Sequence, residues 1–252
     1  GTETPGSITA NARGNADITL FGKAASDQID IESEDLTLTS RGDISDGNYH
    51  AKNALRVHTA KDGIISGGTF TGNTADITNA GTMSDGDYRA EAGDMTITND
   101  GRMTGGAYTA ENDLTYKDSE KAALSGSEFT SEEGNVNVTA KGQLAIKKLT
   151  AKGNAKIEAA GDATLDEITA GGNLNAEAGG SILAEGENAK ISAKDITMKA
   201  GEDIRITDRS LVGKLDGVDT KTPAGTTTGS GPAGSLVTGE KEGHDFDVSQ
   251  KG

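Results

Sequence analysis

The sequence predicts an all-β fold, a right-handed parallel β-helix (solenoid) with three short strands per turn of about 20 residues. Three observations carry that expectation. Segments such as 94–112 recur with similar patterning at that period, apolar and polar residues alternate inside each unit, and five of the eight aromatic side chains fall at one phase of the repeat.

The units are nearly uniform. Blocks 34–53, 54–73 and 74–93 are 20 residues long, 94–112 is 19, 113–134 is 22, and 135–153 and 154–172 are 19 each. Within a unit, Leu36 and Leu38 are separated by Thr37, and Met95 and Ile97 by Thr96, the period of a strand with one buried face. This first strand gives an inward column of Leu38, Val57, Ile77, Ile97, Tyr116, Val138, Ile157 and Ala176. A second column, close to glycines that would permit a tight bend, is Ala24, Ile44, Ile65, Met83, Met103, Leu124, Leu144 and Ala163. The third is Ile8, Ile29, Tyr49, Phe70, Tyr88, Tyr108, Phe129, Leu149 and Ile168.

Only 33% of the chain is hydrophobic and 36 residues are glycine, too few large side chains for one broad core. An aromatic in five successive units at one phase argues against disorder. Gly14-Asn15, Gly72-Asn73, Gly134-Asn135, Gly153-Asn154 and Gly172-Asn173 mark corners, where a left-handed backbone is expected. Stacking each strand on its equivalent one turn away buries the columns, and the rest of the turn serves as the crossover, so no helix is required. About ten turns at a rise near 4.8 Å make a rod of roughly 45 to 50 Å.

The expected organisation is a β-helix over 1–206, regular over 8–172 and looser over 173–206. There the alternation persists in Leu174/Ala176, Ile191/Ala193, Ile196/Met198 and Ile204/Ile206, but the third-strand residue no longer falls at its predicted place. Residues 207–252 contain Thr222-Pro223-Ala224-Gly225 and Gly229-Ser230-Gly231-Pro232 and read as an extended tail or linker.

With 24 Lys plus Arg against 40 Asp plus Glu, the net charge is −16, which argues against nucleic acid and anionic membrane surfaces as partners. No window reaches the roughly 18 apolar residues of a spanning helix, so membrane insertion is not expected. The opening Gly1-Thr2-Glu3-Thr4-Pro5-Gly6-Ser7 has no basic-then-apolar signal and reads as a mature region or an internal stretch. Zero cysteine excludes disulfides, thiol nucleophiles and cysteine metal sites.

Chemistry is sparse. His50 and His58 fall on outward phases, where a solvated surface role outweighs a zinc pair, and His244 stands alone in the tail. Acidic turns such as Asp43, Asp46, Asp85 and Asp87 could attract calcium, but the nonapeptide of calcium β-rolls is absent. Paired carboxylates for glycoside cleavage need walls built by long loops, and turn lengths vary by only about three residues. Gly105-Gly106 and Gly179-Gly180 read as corner glycines, not phosphate loops. An outward threonine column, Thr71, Thr109, Thr130, Thr150 and Thr169 with Arg89 between, is read as β-propensity because Ala107, Glu128, Lys148 and Glu167 break any paired array. The expectation is a non-enzymatic chain with no catalytic, cofactor-binding or metal residues and no cofactor; the alternative is a polysaccharide-active or glycan-binding β-helix.

Segment 135–180, NVNVTAKGQLAIKKLTAKGNAKIEAAGDATLDEITAGGNLNAEAGG, resembles the repeats of filamentous haemagglutinin and related two-partner-secretion exoproteins, including contact-dependent inhibition proteins. The shared phrase is GN-x-x-[IVLA]-x-A-x-G followed by a strand and [LI]-x-A-x-G; it is looser over 34–134 and absent after 206. The resemblance implies a secreted or surface-displayed Gram-negative adhesin, exported by an outer-membrane transporter partner, with an unknown host or neighbouring-cell receptor or glycan. It carries over no functional residue.

Overall fold

A computed structural model describes residues 8–25, 29–185 and 189–206, together with the backbone of 212–220, 230–231 and 246–248. The chain is a parallel β-solenoid of about ten turns with roughly 20 residues in each, and no helix occurs among the described residues. Except at one seam in the second column, successive strands pair with their equivalents in the neighbouring turns. The first-strand column runs in register from Ile18 through Leu38, Val57, Ile77, Ile97, Tyr116, Val138, Ile157 and Ala176 to Met198.

The third-strand column holds the aromatic ladder. Tyr49, Phe70, Tyr88, Tyr108 and Phe129 are all buried, and their rings stack at centroid distances of 4.6, 4.5, 5.0 and 5.6 Å. Tyr116 reaches across from the first column and tilts against Phe129 at 5.5 Å. One inward line of rings therefore replaces the broad core that the composition could not supply.

The ladder corrects the sequence reading at its lower end. Ile29 does pair with Ile8, but Tyr49 lies opposite Ile31, not Ile29. The strand Ile29–Ser33 presents both isoleucines inward, and Ile29 packs over the corner at Gly47, where a Cβ would lie 3.0 Å from the Ile29 Cβ. At the upper end Ile191 continues the column over Ile168, the place that the repeat spacing left unfilled. The strand Lys190–Ala200 runs the third and first positions together without a break.

Left-handed backbone occurs at a different corner from the one expected. None of the described Gly-Asn pairs adopts positive φ; the left-handed residues lie between the second and third strands, at Asp46, Gly47, Gly67, Gly68, Asp85, Gly86, Gly105, Gly106 and Gly126. Aspartate and glycine alternate in the first place of this corner, because a Cβ on Gly67 or Gly105 would run into the carboxylate of Asp46 or Asp85 in the turn below. The Gly-Asn pairs have a different cause. A Cβ on Gly153 would lie 2.6 Å from Asn135 Oδ1, which accepts the Asn154 backbone N–H at 2.8 Å; Asn154 Oδ1 accepts from Asn173 in the same way at 2.8 Å. The glycine makes room for a side chain that hydrogen-bonds one turn up.

The second column also departs from expectation. Its strands form a six-stranded parallel sheet that runs from Ala24–Ala25 to Ala123–Ser125 and stops there. Leu124 and Leu144 occupy equivalent places, yet no ladder joins Ala123–Ser125 to the next strand, Leu144–Ala151. The long unit 113–134 and a register shift between Ser127 and Glu128 mark this seam. In the next two turns no described residue of this corner has positive φ, and Leu144–Ala151 and Ala163–Ala170 bend through it as single strands.

In the stretch read as a linker, 212–220 pairs parallel to 190–200, 230–231 pairs antiparallel to it, and 246–248 lies on 204–206. The remainder of 207–252, His244 included, lies outside the described residues.

Candidate functional site

The outward side chains of the third sheet form a continuous column along the solenoid. His50, Thr71, Arg89, Thr109, Thr130, Thr150, Thr169 and Ser192 align one per turn. His50 is half-buried, its Nδ1 2.7 Å from Thr71 Oγ1, whereas His58 is exposed on the first sheet beyond the intervening corner. The two histidines therefore occupy different sheets. The flanking column, Ala107, Glu128, Lys148, Glu167 and Lys190, alternates in charge along its upper part, with Lys148 3.7 Å from Glu167. These exposed pairs contribute little to stability individually.

Where this face turns back toward the first strand, Glu111 and Glu132 lie in adjacent turns, close enough for one carboxyl, when protonated, to hydrogen-bond the other. Desolvation, that bond and repulsion from Glu132 and Glu133 raise the Glu111 carboxyl above its usual range, and Arg89 opposes the rise. Arg89 Nη2 donates to Glu132 Oε1 at 3.2 Å. The carboxyl pair sits on the outer corner of the solenoid and lines neither of the grooves described next. Among the described residues no group of three or more His, Cys, Asp and Glu converges as a metal site would.

Two grooves mark the lateral surface. One, about 440 Å³, follows the corner after the first strand; its floor is Ala159, Ala178 and Ala200, and its wall is Glu158, Glu177 and Lys199. The other, about 450 Å³, lies at the seam between Ala123–Ser125 and Leu144–Ala151.

A polar column that patterning did not reveal runs inside the wall. Ser40, Thr59, Asn79, Asn99 and Asp118 end successive first strands and are buried. Asn79 Nδ2 donates to Asn99 Oδ1 at 2.8 Å, and Asn79 Oδ1 accepts the Gly81 N–H at 3.1 Å. Asn99 Nδ2 in turn donates to the Tyr116 hydroxyl at 2.9 Å. Asp118 Oδ1 accepts the Lys141 backbone N–H at 2.6 Å, a side-chain bond across the seam. Burial raises the Asp118 carboxyl, and the bonds from Lys141 and Tyr116 pull it back. The signal was present, since these residues share one phase of the repeat. A polar residue at an inward phase reads as a defect, however, until its partners are seen.

No family model matches the chain, and comparisons with curated proteins and with solved structures find no match.

Proposed function

We propose that this chain is a structural rod segment of a secreted or cell-surface bacterial adhesin, holding a distal tip away from the cell and exported by an outer-membrane transporter partner. One observation carries the reading: the first- and third-sheet registers continue through successive turns, and among the described residues no inserted loop builds a cleft over them. The resemblance of 135–180 to exoprotein repeats supports the secreted, surface-displayed part. Duplicating 135–172, two whole turns, in the chain displayed between a cell anchor and a binding tip should move the tip outward by about 10 Å. Tip adhesion should survive the duplication and fall when the rod is deleted. Adhesion indifferent to the presence of the rod would sink the proposal.

A second reading, a polysaccharide-active solenoid, draws on the Glu111–Glu132 carboxyl pair beside Arg89. Release of reducing or unsaturated ends from uronic-acid polymers, lost in Glu132→Gln, would favour it over the rod.

A further inference from the structure

The aromatic ladder ends on a tyrosine unlike the others. Tyr49, Phe70, Tyr88, Tyr108 and Phe129 stack in series, and Tyr116, tilted against Phe129 at 5.5 Å, completes the line. No ring centroid is more than 5.6 Å from the next. Among the described residues, Tyr116 is the tyrosine whose hydroxyl faces a carboxylate, Asp118 Oδ2, which accepts from it at 3.4 Å. Tyr49 reaches only the backbone carbonyl of Asp46 at 3.4 Å, and the Tyr88 hydroxyl has no partner.

The difference matters for oxidation. The chain has no tryptophan and no cysteine, so its tyrosines are the side chains that give up a single electron most readily. A positive charge left on a buried phenol is costly unless the phenol also sheds its proton, and the proton needs a base within hydrogen-bond reach. Asp118 supplies that base. Its Oδ1 accepts the Lys141 backbone N–H at 2.6 Å, which favours the carboxylate form, and its Oδ2 is left for the phenol. Burial raises the Asp118 carboxyl, so it takes up a proton more readily than an exposed aspartate. Asn99 Nδ2 donates to the Tyr116 oxygen at 2.9 Å and holds the ring in place while its O–H bond breaks.

We propose that the ladder carries one-electron oxidation to Tyr116, which keeps it as a neutral tyrosyl radical after passing the phenolic proton to Asp118. An outer-sphere one-electron oxidant at the surface, such as an oxidised metal complex, gains the electron. The stacked rings pass the electron deficit along the core. At Tyr116 the O–H bond breaks, the proton moves to Asp118 Oδ2, and a phenoxyl radical and a carboxylic acid remain, both uncharged. All six rings are buried, which keeps the radical from coupling with a second molecule.

Because the chain has no cysteine, Asn48→Cys gives one attachment point for a ruthenium bipyridyl photo-oxidant, at an exposed position beside Tyr49 and four turns, about 19 Å, below Tyr116. Flash oxidation of the labelled whole chain should give a tyrosyl radical, read by transient absorbance and electron paramagnetic resonance. That radical should be lost in Tyr116→Phe and form about a hundredfold more slowly in Asp118→Asn, the lower end of what a positioned base contributes. The asparagine keeps an acceptor for the Lys141 N–H but is no base. Phe129→Leu, which copies Leu149 in the next turn, should lose the radical under the tethered oxidant and keep it under free tris(bipyridine)ruthenium(III). If these variants fail to fold, the labelled chain without them decides, since formation coupled to proton transfer must slow in heavy water; an equal rate there overturns the proposal. A radical that persists in folded Tyr116→Phe, an unchanged rate in folded Asp118→Asn, tethered oxidation indifferent to Phe129→Leu, or no tyrosyl radical at all would also overturn it.

Discussion

Asn99 donates from Nδ2 to the Tyr116 hydroxyl at 2.9 Å and so ties the buried polar column of the wall to the aromatic stack in the core. The same side chain accepts from Asn79 and from the Gly101 N–H, so its removal leaves several buried groups without partners at once. Asn99→Ala should therefore destabilise the chain by about 2 to 4 kcal/mol. Urea unfolding measures it; a loss under about 0.5 kcal/mol, the range of ordinary surface changes, would show that the column is dispensable.

Tyr88 is the opposite case. Its ring stacks between Phe70 and Tyr108, but its hydroxyl is buried with no hydrogen-bond partner. Tyr88→Phe keeps the stack and removes the unsatisfied oxygen, so it should be neutral or stabilising by up to about 1 kcal/mol. Tyr116→Phe removes a bonded hydroxyl and should lower stability by about 1 kcal/mol or more. Calorimetry of the pair should give an unchanged or raised Tm for Tyr88→Phe and a lowered one for Tyr116→Phe, and a falling Tm for Tyr88→Phe contradicts the argument.

All four tyrosines are raised above their ordinary value, chiefly by burial. A raised acid holds its proton in the folded state after the unfolded chain has released it. The associated stability is present in full below about pH 10 and declines as the pH rises above it. Absorbance at the tyrosinate band should stay flat through the ordinary tyrosine range and then rise together with the loss of β-sheet circular dichroism. Tyrosinate appearing near pH 10 in a still-folded chain would show the ladder to be open to solvent.

Two glycines at different corners of one turn should behave differently. Alanine at Gly153 would press on Asn135 Oδ1 at 2.6 Å and on the Gly134 carbonyl oxygen at 2.9 Å, costing about 1 to 3 kcal/mol. Alanine at Gly142 meets nothing closer than 4.0 Å, and loss of glycine's freedom in the unfolded chain should leave it neutral or better by about 0.5 kcal/mol. Thermal melts of the two variants check the order, and equal losses would refute the close-approach account.

The fold was legible because its determinants repeat. The apolar phase of Ile77, Ile97 and Tyr116, and the aromatic phase of Phe70, Tyr88 and Tyr108, survive any small error of alignment because each rung is confirmed by the next. What periodicity concealed depends on partners one turn away. Asn79 and Asn99 look misplaced until each is seen bonding its neighbour, and Gly153 looks like a turn residue until Asn135 is placed against it. The seam escaped for the same reason, since Leu124 and Leu144 keep the period although the strands that carry them do not pair. The carboxyl pair of Glu111 and Glu132 likewise needed the corner geometry, because nothing in the spacing separates it from the other exposed acids.

The alternation of Asp46, Gly67, Asp85 and Gly105 bears on how such a chain can grow. Excising the turn that carries Gly67 would seat one aspartate directly over another, in a place where even a Cβ meets the carboxylate below. In this half of the molecule, a single turn bearing glycine can be added, as Gly126 over Gly105 shows, but no duplication or deletion should bring two aspartate-bearing turns together. In the two turns above Gly126, where no described residue of this corner is left-handed, single turns become exchangeable, so length variation among homologous chains should accumulate there.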